Sequence, residues 1–222
     1  CVATSQARDA KNSREFFERI EVETGFRFRT LSGEEEAKYT FLGTLLPGMD
    51  ASNAAVIDIG GGSTEVTTSK GGVSIDVGSV RLTERFFKSN PTTDKEYDDC
   101  LRAIEEALAP LSELKRSWKG IENLVGVAGT VTTLAAWELN LKEFQREKID
   151  SMILDTIMLH KQIKRLKGMS LEERAQVPSI GRMRADVILP GAMILSRALS
   201  ILGFSQCRVS SRGLRFGVLS VK

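Results

Sequence analysis

Between residues 56 and 65 the chain reads Val56-Ile57-Asp58-Ile59-Gly60-Gly61-Gly62-Ser63-Thr64-Glu65, and no other stretch limits the fold as strongly. An apolar run from Ala54 stops at three glycines and resumes as β-branched residues up to Thr68, the pattern of two strands joined by a tight turn. Three consecutive glycines permit positive φ and leave backbone amides uncovered, so such a turn can wrap a phosphate with N–H donors. Asp58 and Glu65 flank the turn, where two carboxylates can hold Mg²⁺ and its water shell. Glycines alone would favour an ordinary hairpin with solvated acids. The Asp inside an apolar strand shifts the balance, because a buried carboxylate is costly unless paired or metal-bound.

The rest of the 222 residues supplies a frame for that hairpin. Cys1-Val2-Ala3-Thr4 reads as the tail of a strand. A helix is expected over residues 12–24, with Asn12 as cap, Glu15 in capping-box position and Gly25 as the stop. Phe26-Arg27-Phe28-Arg29 alternates like a half-buried strand. Ser32 caps a further helix, with Glu35 three residues on, and Leu45-Leu46-Pro47-Gly48 ends it. After the first hairpin, Lys70-Gly71-Gly72 turns into a third strand at 73–77. Thr93 with Glu96 opens a long helix bearing Ile104, Leu108, Leu111 and Leu114 on its apolar face. A strand at 124–128, a helix opened by Gly129-Thr130, and a helix at 155–167 follow. Next come a helix at 186–202, bent or broken at Leu189-Pro190-Gly191, and a closing strand at 207–211.

Strand-strand-strand-helix-strand-helix-strand is the order of a ribonuclease-H-like lobe, and half of a similar lobe precedes it. The expected fold class is therefore α/β, with ribonuclease-H-like lobes of which one is complete and one partial. The expected division is 1–39 for the end of the first lobe and 40–222 for the second. The chain is read as a fragment lacking its N-terminal part.

Composition excludes several classes. Hydrophobic residues at 41% exclude disorder. With 31 Lys+Arg against 29 Asp+Glu the net charge is only +2, so a nucleic-acid binder working by bulk charge is excluded and local basic groups must meet any polyanion. The longest apolar stretches, such as 187–195, fall short of the ~18 residues that span a bilayer, and no signal peptide is expected. The cysteines (Cys1, Cys100, Cys207) are widely spaced and lack a CxxC pattern, which points to free thiols in a reducing compartment rather than zinc.

A second loop, Val127-Ala128-Gly129-Thr130-Val131-Thr132-Thr133, repeats the logic of strand, glycine and helix start, where free amides and the helix dipole favour anions. At this point the sequence resembles the exopolyphosphatase / guanosine pentaphosphate phosphatase family, within the actin-like ATPase and sugar-kinase superfamily. The resemblance covers essentially the whole chain. It rests on Val2-Ala3-Thr4-Ser5 with Arg8, Ser32-Gly33-Glu34-Glu35-Glu36-Ala37, the Ile57 to Glu65 motif and Gly126-Val127-Ala128-Gly129-Thr130. Arg184-Ala185-Asp186-Val187-Ile188-Leu189-Pro190-Gly191-Ala192 and Ser211-Arg212-Gly213-Leu214-Arg215 complete it. The family opens with another phosphate hairpin, of which this chain carries no second copy.

The resemblance implies hydrolysis of a terminal phosphoanhydride in an inter-lobe cleft, with Mg²⁺ as cofactor. Inorganic polyphosphate is the first expectation for substrate and guanosine pentaphosphate the alternative. A kinase of the same superfamily and a non-catalytic nucleotide- or polyphosphate-binding regulator are the readings from other classes. It implies Glu36 as the residue that activates water, while the bland role of the acidic triplet is helix-start electrostatics. Arg8 and Arg184 are implied to point guanidiniums into the cleft. Substrate contacts are then Arg8, Gly60, Gly61, Gly62, Ser63, Gly129, Thr130 and Arg184, and the metal ligands Asp58 and Glu65. Neither nucleic acid nor a membrane is expected as partner; a homodimer and a cytoplasmic location are among the expectations. Lys164, Arg165 and Lys167 are read as a solvated face, His160 is given no catalytic role, and Phe16/Phe17, Phe86/Phe87 and Met193 are read as core.

Overall fold

The computed structural model describes residues 1–4, 7 and 10–220 of the chain. Its centre is a six-stranded sheet in the order β5-β4-β3-β6-β8-β7. The strands are β3 (Ala54–Ile59), β4 (Thr64–Thr68), β5 (Gly71–Ile75), β6 (Asn123–Val127), β7 (Ile153–Asp155) and β8 (Gln206–Val209). β3, β6 and β8 are parallel; β4, β5 and β7 run antiparallel to their neighbours. Ala-Ala-Val-Ile in β3 is buried on both faces, as a central parallel strand requires, and only Asp58 interrupts it. β4 alternates, with Thr64, Val66 and Thr68 buried and Glu65 and Thr67 half-buried between them.

Ahead of this sheet, β1 (Val2–Ala3) pairs in parallel with β2 (Arg29–Thr30) through α1 (Ser13–Thr24). From there α2 (Gly33–Thr44) leads into the sheet. Ser32 caps α2 in a capping box with Glu35, whose carboxyl is held below its usual range by the Arg29 guanidinium and the Ser32 amide. Gly25 ends α1 at φ 75°, in the left-handed region that glycine accepts at no steric cost.

The helices divide between the two faces of the sheet. On one lie α3 (Ser79–Phe86), α4 (Asp94–Leu108), α5 (Leu111–Ser117), α6 (Ala128–Glu138), α8 (Thr156–Gly168) and α10 (Ile188–Leu202), around a core with Ala55, Ile57 and Ile59. The buried α10 packs against all of them. On the other face α2 crosses α11 (Leu214–Ser220), and Phe41 packs on Val56, Val125 and Val127. The crossing is a backbone contact. A Cβ at Gly43 would overlap Gly213 and Gly217, and one at Gly217 would overlap Tyr39. Short helices α7 (Arg146–Asp150) and α9 (Leu171–Gln176) complete the set. No described helix is long and apolar enough to cross a membrane.

The order of elements follows the sequence reading, and several details differ. The Asn12 side chain makes no cap hydrogen bond, and the strand expected at 26–29 is confined to Arg29–Thr30, with the Phe28 ring stacked on Phe17 at 4.9 Å. Phe16, read as core, is 53% exposed. The third strand lies at Gly71–Ile75, with the glycines inside it and not in the turn. α10 runs unbroken through Leu189-Pro190-Gly191, since Pro190 sits in the first turn, where its missing N–H has no helical acceptor. Leu111 and Leu114 fall on a separate helix started by Pro110, and β7 was not anticipated. All three cysteines are free; burial pushes the Cys100 and Cys207 thiols up to about 12.

Candidate active site

The parallel strands β3, β6 and β8 end at one edge of the sheet, the place where open α/β sheets bind ligands. At the end of β3 the register sets Asp58 directly opposite Glu65 on β4. Ser74 Oγ donates to Glu65 Oε1 at 2.7 Å, whereas the Asp58 carboxylate has no hydrogen-bond or ion-pair partner among the described residues. Burial pushes the Asp58 carboxyl up to about 6, with the negative charges of Glu65 and Glu36 adding to it. Glu36, in the first turn of α2, is thus brought to the same place as the pair on the hairpin. A cavity of about 890 Å³ lies between α2 and β3–β5, lined by Glu34, Glu36, Asp58, Ser63, Glu65 and Ser74 among others.

The glycine turn is organised by α3. Gly60 N–H donates to Ser63 O at 3.0 Å. Ser79 N–H donates to Gly60 O at 3.0 Å, and Val80 and Arg81 N–H donate to Gly61 O at 3.0 and 3.1 Å. The loop carbonyls therefore satisfy the orphan donors of the α3 N-terminus. The amides of Gly61, Gly62 and Ser63 have no acceptor among the described residues. Gly60, Gly61 and Gly62 do not use positive φ, contrary to the reading of the sequence. The constraint on Gly60 and Gly61 is steric: a Cβ on Gly60 would press on Ser63 O, one on Gly61 would meet Val80, and one on the facing Gly78 would overlap the backbone of Gly61 and Gly62.

The second loop ends β6. Ala128, at the start of α6, sits at φ 70°, a left-handed conformation that costs a non-glycine residue ~1–3 kcal/mol. No side chain caps α6. The Arg184 guanidinium fills the space beside Gly129 that a side chain would occupy. Thr130 is buried, with its side chain directed at Gly191 of α10, so it offers the site its backbone alone. Arg8 lies outside the described residues.

Three residues that sequence reasoning passed over hold these parts together. Thr83 Oγ1 on α3 donates to Asp186 O at 3.0 Å, joining the helix behind the glycine turn to the segment that carries Arg184. Arg174 is buried; it donates to Leu166 O at 2.7 and 3.0 Å and to Ala185 O at 3.3 Å, next to Arg184. Arg81 is exposed, and its guanidinium is the nearest side chain to Gly62. One of many basic residues in the chain, Arg174 carries no local mark of burial. Arg81 was findable from its place three residues after Gly78.

The chain matches the Ppx/GppA phosphatase family over residues 1–222. It is 33% identical to Exopolyphosphatase 2 of Mycobacterium tuberculosis, over 98% of this chain and 72% of that protein. A bifunctional 3-dehydroquinate synthase/phosphatase of Fusobacterium nucleatum is 31% identical over 91% of this chain and 31% of its own length. Among solved structures, the PPX-GPPA enzyme of Aquifex aeolicus superposes with a TM-score of 0.88 at 34% identity, covering 100% of this chain and 74% of its own. An exopolyphosphatase from Cytophaga hutchinsonii gives 0.81 at 26% identity, over 99% and 72%. Fold and site together define a phosphoanhydride hydrolase built on the actin-like ATPase fold. The chain belongs to the Ppx/GppA phosphatase family.

Proposed function

We propose that the protein releases terminal orthophosphate from inorganic polyphosphate by Mg²⁺-assisted attack of water. The observation that carries this reading is the convergence of Asp58, Glu65 and Glu36 beside a turn with three unclaimed amides. Among the described residues no group of three or more His, Cys, Asp or Glu is arranged to hold a metal ion by itself. The desolvated Asp58 carboxylate opposite Glu65 suits Mg²⁺, which binds through one or two carboxylates together with substrate phosphates and water. Asp58 and Glu65 would hold it, and it would supply charge neutralisation at the reacting phosphate.

In this mechanism the Gly61, Gly62 and Ser63 amides and the α6 N-terminus hold phosphate oxygens, and Arg184 offsets charge that develops on transfer. Glu36 takes a proton from the attacking water as the new P–O bond forms. The anhydride P–O bond breaks, and its electron pair leaves on the shortened polyphosphate. Free thiols support a reducing, cytoplasmic setting.

The test is phosphate release from polyphosphate, guanosine pentaphosphate and ATP, each with Mg²⁺ and with a chelator. Release from polyphosphate that stops with the chelator is expected; a preference for guanosine pentaphosphate moves the assignment to the alternative substrate.

A further inference from the structure

The sheet edge that carries the two phosphate loops continues past them. β8 lies beside β6, Ser210 N–H donates to Gly126 O at 2.9 Å, and Gly213 packs on Val127, just before Ala128 and Gly129. In the turn between β8 and α11 stands Arg212, and across from it Arg146 opens α7. Both guanidiniums lie on one ring: Arg146 Cζ is 4.8 Å and Arg212 Cζ 4.6 Å from the centroid of Phe216. The two charges therefore lie within about a Debye length of each other, ~10 Å at 0.1 M salt, and repel.

No carboxylate is paired directly with either among the described residues. Asp150, on the same helix as Arg146, accepts from the Ser211 amide at 2.6 Å. The Nε–H of Arg212 and the hydroxyl of Ser211 are buried and have no hydrogen-bond partner. Two guanidiniums beside the single Asp150 carboxylate, with two unsatisfied polar atoms, leave this place one negative charge short.

We propose that Arg146 and Arg212 form a distal subsite for the internal phosphates of a polyphosphate chain whose terminal phosphate lies in the glycine turn. The inference rests on the polyphosphate reading above and extends it to chain length. The pair lies at β8, two strand spacings or ~10 Å from β3, so a short phosphate chain fills the loops without engaging it. A guanidinium fork suits a repeating phosphate oxygen better than a lysine does, and the Phe216 ring holds both forks in place before the ligand arrives. The same ring is half-buried and already engaged by two cations, which makes it a poor platform for a nucleobase. This favours polyphosphate over RNA as occupant.

Equilibrium binding of long-chain polyphosphate and of tripolyphosphate to the protein and to Arg146→Gln, Arg212→Gln and the double variant tests the proposal. Each substitution is expected to weaken long-chain binding about tenfold, the loss of one charge-assisted hydrogen bond. The ratio of long-chain to tripolyphosphate affinity falls with it, and the kinetic counterpart lies in KM more than in kcat. Arg→Lys at either position should recover part of the loss, which separates charge from packing on Phe216. Equal losses for both ligands, no loss, or single-stranded RNA competing as well as polyphosphate would each overturn the subsite. If the Gln variants bind long chains like the parent while the parent releases phosphate from them, the subsite alone fails. If the parent hydrolyses guanosine pentaphosphate instead, the functional reading fails, and the binding ratio still decides the subsite.

Discussion

The guanidinium of Arg184 occupies the volume that a side chain on Gly129 would need. The first turn of α6 and the segment before α10 are far apart in sequence, yet they meet at this contact. The glycine is thus required by what approaches it, since its φ is not in the left-handed region.

Gly129→Ala should expel Arg184 from the loop and act like loss of the arginine. Both Gly129→Ala and Arg184→Ala are expected to lower kcat/KM by about 10–100-fold, the range for one or two charge-assisted hydrogen bonds. A double-mutant cycle checks the coupling: the combined change should cost little more than either alone. Additive losses would show that the two residues act separately.

Glu36→Gln keeps size and hydrogen-bonding capacity but removes the base. Turnover should fall by ~10²–10⁴-fold while polyphosphate affinity holds or rises. Glu34 is exposed in the same helical turn, and Glu34→Gln should change stability by no more than ~1 kcal/mol and turnover little. Single-turnover phosphate release with both variants decides which acid is the base.

Asp58 should lower stability in the metal-free protein. Its pKa is raised from 3.8 to about 6 in the folded state, so between those values the native state holds the extra proton and stability falls as pH rises. Above pH ~6 the penalty is complete, at most ~3 kcal/mol. In the presence of a chelator, Asp58→Asn should therefore raise the denaturation midpoint at pH 7.5 and have no such effect near pH 3.5. The same substitution should abolish Mg²⁺-dependent phosphate release. Destabilisation by Asn at neutral pH would contradict the account of this carboxylate.

Glu96 has the opposite sign. Burial raises its pKa, but the Thr93 and Lys88 amides and the Ser89 and Thr93 contacts outweigh that and bring it to about 2. Its contribution is present above pH ~4.5 and fades as pH falls toward 2. Glu96→Ala should cost about 2 kcal/mol at pH 7, shrinking in acid, as read from urea unfolding at the two pH values.

The hairpin around the three glycines and the capping boxes at Ser32 and Thr93 were legible because each depends on neighbours within a few residues, whereas the box at Ser170 and strand β7 were not read. Asp58 announced itself as a charge within an apolar strand. Arg174, Thr83 and Arg81 did not, since their partners lie in distant segments and their residue types are common on surfaces. The apparent break at Pro190 failed for a related reason: the cost of proline depends on where the helix starts, which packing of α10 determines. Ala128 was invisible too, because nothing in the identity of an alanine marks a left-handed backbone.

The contact of Gly43 and Gly213 with Gly217, and of Gly217 with Tyr39, puts two helix backbones against each other without side chains between them. α2 carries Glu36 in its first turn, about one to two turns from that crossing. The crossing therefore fixes how close α2 lies to α11. A single methyl group at residue 217 would meet the Tyr39 carbonyl and push α2 off α11, and the helix would carry Glu36 with it relative to the phosphate loops.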